Sequence, residues 1–65
     1  MQTLPLPDYT VDVGENIFYI ISSWRRAAKK AGWPTEEIEK VLTKATSASL
    51  YEEAMDIIAE NCNGY

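Results

Sequence analysis

The chain has 65 residues, with 6 Lys+Arg, 10 Asp+Glu and no His, so its formal net charge is -4; apolar residues make up 46%. This is the composition of an acidic globular chain rather than a disordered one, and the length allows one domain that buries only ~60% of its unfolded surface. Size excludes a two-domain enzyme, a Rossmann fold and a TIM barrel, while a lone cysteine (Cys62) and no histidine exclude a structural zinc site, a Cys–His or Ser–His nucleophile pair and an internal disulfide.

Residues 1–13 differ in pattern from the rest of the chain. Pro5 and Pro7 each fix φ, lack an N–H and push the preceding residue toward extended geometry, so this stretch is no helix. Tyr9, Val11 and Val13 alternate with Thr10 and Asp12 in a period of two, in β-favouring residue types. No second strand is visible to pair with them. The segment reads as an extended arm across the rest of the molecule, as an edge strand for another chain, or as a disordered tail.

Gly14 ends that pattern, and a helix is expected from Glu15 or Asn16. Ile17, Ile20, Ile21, Trp24, Ala28 and Ala31 form an apolar stripe at helical spacing. Glu15 near its start and Lys29–Lys30 near its end match the helix dipole, and Gly32 supplies a positive-φ stop. Phe18 and Tyr19 lie off the stripe; they either widen the buried face or stay exposed. After Trp33–Pro34, Thr35 is expected to cap a second helix with Glu36 and Glu37 in its first turn and Ile38, Val41, Leu42 and Ala45 on its buried face. Ala45 to Ser49 ends it. Ser49 and Glu52 fit a capping box for a third helix running to about Asn61, with Tyr51, Ala54, Met55, Ile58 and Cys62 on one face and Leu50 and Ile57 beside it. Asn63–Gly64 terminates it. Each helix has one apolar face to hide, so the expected architecture is all-α: a small three-helix bundle at 14–65 behind an extended arm at 1–13, in a single domain.

The longest apolar run, Ile17 to Ile21, is far short of the ~20 residues of a membrane span, and Met1 to Asp8 has neither the basic region nor the apolar stretch of a secretory signal. A cytoplasmic protein without membrane contact is the expectation. Charge is segregated: Arg25, Arg26, Lys29 and Lys30 lie on the first helix, and Glu52, Glu53, Asp56 and Glu60 on the third. The basic cluster could steer phosphate or an acidic partner, or simply be a solvated face. A helix-turn-helix reading would send an acidic third helix toward phosphates, which disfavours DNA binding; the converse, an acidic mimic of nucleic acid, rests on the same segregation. Glu36, Glu37 and Glu39 crowd a helix start where solvated acids are stabilising, so no catalytic residue, metal ligand or cofactor is expected. Trp24 belongs to the core. Trp33, in the Gly32–Trp33–Pro34 connection, either caps the bundle or anchors a partner. Cys62 is expected to be a small buried hydrophobe.

The segment from Gly14 to Ala59 resembles a family of short uncharacterised proteins encoded by phages, prophages and plasmids. The shared features are Gly14, Asn16, Phe18 and Ile20 as a G-N-x-F-x-I opening, Arg25 and Arg26 on a basic first helix ending in Ala31–Gly32, Glu36–Glu37–Ile38, and Ala45, Ser47 and Tyr51. Glu15 is inserted in the opening, and the Gly-Asp that often precedes the tyrosine is missing. The resemblance implies a mobile-element context and interference with host machinery, and no activity. Ala31–Gly32–Trp33, Val41–Leu42, Ala54 and Ile57–Ile58 are similar to ubiquitin-associated three-helix domains, although the interval from 42 to 54 is longer and the loop methionine is absent. That resemblance implies a Gly-aromatic loop that can dock a partner.

The leading expectation is therefore a non-enzymatic protein-interaction module binding a host protein, with Trp33 as anchor and Arg25, Arg26, Lys29 and Lys30 steering an acidic partner. A nucleic-acid-binding regulator using the basic face, and a self-associating structural protein or homodimer, are the alternatives.

Overall fold

The computed structural model describes residues 4–65; the first three residues of the expected arm lie outside the described residues. Three helices, α1 (Ile17–Lys30), α2 (Thr35–Ser47) and α3 (Tyr51–Glu60), pack into an all-α bundle, with no strand among the described residues. Trp24 sits at its centre with no exposed surface. Around it α1 contributes Ile20 and Ala28, α2 contributes Ile38, Val41, Leu42 and Ala45, and α3 contributes Met55, Ile58 and Ala59. These are the residues whose spacing of three and four puts them on one face of each helix. Ile17 and Ile21 are only partly buried at the rim of this core.

The helix ends follow backbone geometry more closely than side-chain capping signals. Asn16 caps α1: its side-chain oxygen accepts a hydrogen bond from the Phe18 N–H at 2.8 Å. Glu15 therefore precedes the cap, and the first turn of α1 holds no acid, contrary to the dipole expectation. At the other end Gly32, at φ 95°, closes a Schellman motif, with its own N–H donating to Lys29 O at 3.1 Å and the Trp33 N–H donating to Ala28 O at 3.0 Å.

Two expected caps are displaced by one residue, in opposite directions. Pro34, not Thr35, is the cap of α2, because the N–H groups of Glu37 and Ile38 both reach the Pro34 carbonyl (3.1 and 3.2 Å) and draw Thr35 into the first turn. The capping box at Ser49 and Glu52 does not form. The Ala54 N–H bonds the Leu50 carbonyl at 3.1 Å, making Leu50 the cap; Ser49 is then one residue too early for its hydroxyl to reach the N3 amide.

The period-two pattern of the arm is half realised. Val11 is buried in the core, Tyr9 packs against it partly buried, and Val13 is 72% exposed. The backbone partner absent from the sequence pattern is the C-terminal tail: the Val11 N–H donates to Gly64 O at 2.8 Å and the Asn63 N–H to Tyr9 O at 3.0 Å. The arm is thus laid across the helices and tied to the tail, without a regular ladder. Upstream, Pro7 is fully buried, and the Trp33 Nε1–H donates to the Pro5 carbonyl at 2.6 Å.

Candidate interaction surface

All four basic residues singled out on α1, Arg25, Arg26, Lys29 and Lys30, are exposed. Successive residues on a helix are offset by ~100°, so Arg25 and Lys29 form one row and Arg26 and Lys30 the next. Arg25 approaches Glu39 of α2 at 3.9 Å, with both side chains about half exposed. An exposed pair at that distance contributes ~0–1 kcal/mol and leaves Arg25 free to exchange partners. Arg26, Lys29 and Lys30 form no ion pair among the described residues. Arg26 and Lys30 also line a cleft of about 370 Å³ shared with Leu6 and Asp8 of the arm.

Trp33 is partly buried rather than free. Its ring meets Trp24 edge to face, with centroids 5.4 Å apart and planes at 87°, and its N–H is given to Pro5. Of the two readings open for it, this geometry joins the bundle end to the arm.

Besides Leu6 in the cleft beside Arg26, Val13 in the arm and Tyr65 at the C-terminus, three large apolar side chains left in solvent gather at the other end of α1. Phe18 is 70% exposed, Leu50 65% and Tyr51 41%. All three line one groove of about 290 Å³, with Ile17 and Ile21 of α1, Ala45 at the end of α2 and Ala54 of α3 as its floor and walls. Aromatic side chains carry 150–250 Å² each, so the patch offers on the order of 300 Å², within the range of functional patches on small proteins. Tyr19, also off the stripe, is 53% exposed; both off-stripe aromatics are therefore outside the core. Tyr51, on the apolar face of α3 but at its boundary, stands at the groove edge and donates its hydroxyl hydrogen to the Glu15 carbonyl, joining the start of α3 to the approach to α1. The signal for Phe18 was its departure from the stripe. For Leu50 it was an apolar residue in a polar connection. Neither signal says by itself that the two share a groove.

The groove and the basic rows lie along one helix. At ~1.5 Å per residue, Arg25 is about 10 Å and Lys29 about 16 Å beyond Phe18. Glu52 and Glu53, both exposed, stand in the first turn of α3, between the groove residues Tyr51 and Ala54 along the chain. The surface is therefore bipolar, apolar with acidic neighbours at one end and basic at the other, with ends further apart than the ~8 Å screening length at physiological salt.

Side-chain chemistry in the bundle is muted. No polar or charged side chain is fully buried among the described residues, and none of their Asp, Glu or Cys side chains gather in threes to hold a metal ion. Burial pushes the Cys62 thiol above its ordinary range, which disfavours the thiolate. Burial also raises the Tyr9 hydroxyl; Ser23 lies beside it, yet no hydrogen bond of good geometry forms. Tyr65 donates to Asp56, and that hydrogen bond pushes its hydroxyl up to about 12. No described helix is long and apolar enough to cross a membrane. Comparisons with protein-family models, with curated proteins and with solved structures returned no match.

Proposed function

We propose that this chain is a non-enzymatic protein-interaction module, with the Phe18 groove as its apolar anchor site and the basic rows of α1 as its steering surface. The observation that carries this reading is the exposed Phe18 above a groove that Leu50 and Tyr51 leave uncovered. A partner that fits presents an apolar side chain to the groove and carboxylates two to three helical turns away, over Arg25, Arg26, Lys29 and Lys30. Acids at the anchor end would be repelled by Glu52 and Glu53, which fixes the direction of docking. Trp33 enters this scheme at one remove, by holding the arm whose Leu6 and Asp8 border Arg26 and Lys30. The resemblance to mobile-element proteins is what suggests a host protein as the partner and the cytoplasm as the place of action.

The test is affinity purification from host lysate with wild type, Phe18→Ser, Arg26→Glu/Lys29→Glu, Trp33→Ala and the distal control Thr43→Ala, each checked for fold by circular dichroism. One protein should be retained by wild type and Thr43→Ala and lost with Phe18→Ser and with the charge reversal. Retention of every partner by a folded Phe18→Ser variant removes the groove from the proposal. Salt-sensitive retention on duplex DNA, abolished by substituting Arg25 and Arg26, would replace it with the nucleic-acid reading.

A further inference from the structure

We propose that residues 4–13 form an exchangeable arm: the seat that holds them takes the same segment of a second copy of this chain, and two chains trade arms to make a symmetric dimer. The contacts that seat the arm reach far along the chain. Pro5 O is held by Trp33, Tyr9 O by the Asn63 N–H, Gly64 O by the Val11 N–H, and Asp8 Oδ1 by Asn63 Nδ2 at 3.4 Å. Each joins the arm to the body of the bundle, and each can be remade with the arm of another molecule, atom for atom. Exchange therefore loses no contact of the seat; its costs are association and the one hydrogen bond of the turn that must open, Glu15 N–H to Asp12 O.

The link between arm and bundle has the features of a hinge. The Glu15 N–H donates to Asp12 O at 3.2 Å, closing a tight turn in which Gly14 takes φ 98°. Tyr51 holds the Glu15 carbonyl, so movement is confined to Asp12, Val13 and Gly14, all exposed. Straightened, three residues span about 10 Å. The hinge borders an open hollow of about 340 Å³ lined by Tyr51, Glu52, Met55 and Tyr65, and nothing lies within 4 Å of where a Gly14 Cβ would be. The turn is short, exposed and closed by one backbone hydrogen bond, so opening it breaks little, and a glycine takes the closed and the straightened conformation alike. The seat also has a weak point. The Tyr9 hydroxyl is buried without a hydrogen-bond partner, which favours transient release of the arm. A released arm leaves Pro7 and Val11 in water and their seats open, and a second copy carries an identical complement.

The experiment uses the full chain, refolded from denaturant at micromolar and at millimolar concentration and sized by light scattering after gel filtration. Wild type should yield a dimer fraction that grows with refolding concentration. Gly14→Ala, which strains the closed turn but not a straightened hinge, should raise the dimerisation constant about thirtyfold or more, through a penalty of about fivefold or more relieved at each of two hinges. In dimers refolded from a mixture of isotope-labelled and unlabelled chains, intermolecular NOEs should join Trp33 and Asn63 of one chain to Pro5 and Val11 of the other. Monomer at every concentration in wild type and variant would overturn the proposal, as would a dimer without NOEs from the arm. If Gly14→Ala does not fold, the wild-type mixture alone decides by the same criterion.

Discussion

Replacing Trp24 by phenylalanine tests the centre of the bundle. Trp24 is fully enclosed, donates its Nε1–H to Asn61 O at 3.0 Å and meets Trp33 edge to face. Phenylalanine preserves an aromatic ring but removes the donor and part of the ring volume. Leaving the Asn61 carbonyl without its donor costs ~1–2 kcal/mol, at the lower end because that site is only partly buried. The vacated volume costs a further ~1–2 kcal/mol, between the values for removing one methyl group and a whole aromatic ring from a core. The total, ~2–4 kcal/mol, is a large share of the ~3–10 kcal/mol expected for 65 residues. Thermal melts followed at 222 nm should show Tm falling by ~10–30 °C, and urea titration should give the same free-energy difference. Hydrogen exchange should also show the end of α3 fraying first, since Asn61 is its C-cap. A loss below ~1 kcal/mol, or even protection across α3, would refute the placement of Trp24 at the junction of core and C-terminal tail.

Two further outcomes rest on the same geometry. Asn16→Ala should destabilise the chain by ~0.5–2 kcal/mol through loss of the α1 cap, whereas Ser49→Ala should fall within ~0.5 kcal/mol of wild type because its capping box is not formed; equal effects in urea titration would contradict the cap assignments. The Cys62 thiol and Tyr9 hydroxyl hold their protons more tightly in the folded chain than in the unfolded one, so the unfolded state deprotonates first: the stability they give is complete below about pH 9, is lost as pH rises from there through Cys62, and from about 10 through Tyr9. Tm should be flat on the neutral side and fall above about pH 9, with Cys62→Ala removing the first part of the fall; an unchanged slope in that variant would mean Cys62 is as solvated folded as unfolded.

Much of this structure is written locally. A helix with one apolar face leaves a spacing of three and four in any sequence, so Ile20, Trp24 and Ala28, then Ile38, Val41, Leu42 and Ala45, then Ala54, Met55 and Ile58 were assignable before any tertiary contact was known. The positive-φ stop at Gly32 was legible for the same reason: only nearby backbone sterics decide it. The charge segregation could also be read directly, since exposed charge needs no fold to exist.

What the sequence could not decide were the events between segments distant along the chain. The arm joins its own tail because bundle closure brings Asn63 and Gly64 beside Tyr9 and Val11, a pairing without period or motif. Thr35 and Ser49 carry good capping side chains, yet the first helical hydrogen bond starts one residue away at each site, from Pro34 and from Leu50, and the cap goes with it. Phe18, Leu50 and Tyr51 become one groove only where the start of α1 meets the connection between α2 and α3. Helix formation depends on neighbours a few residues away, and this sequence determined it alone. Which apolar residues are left over as surface depends on how the three helices fit together, through contacts between segments far apart in the chain.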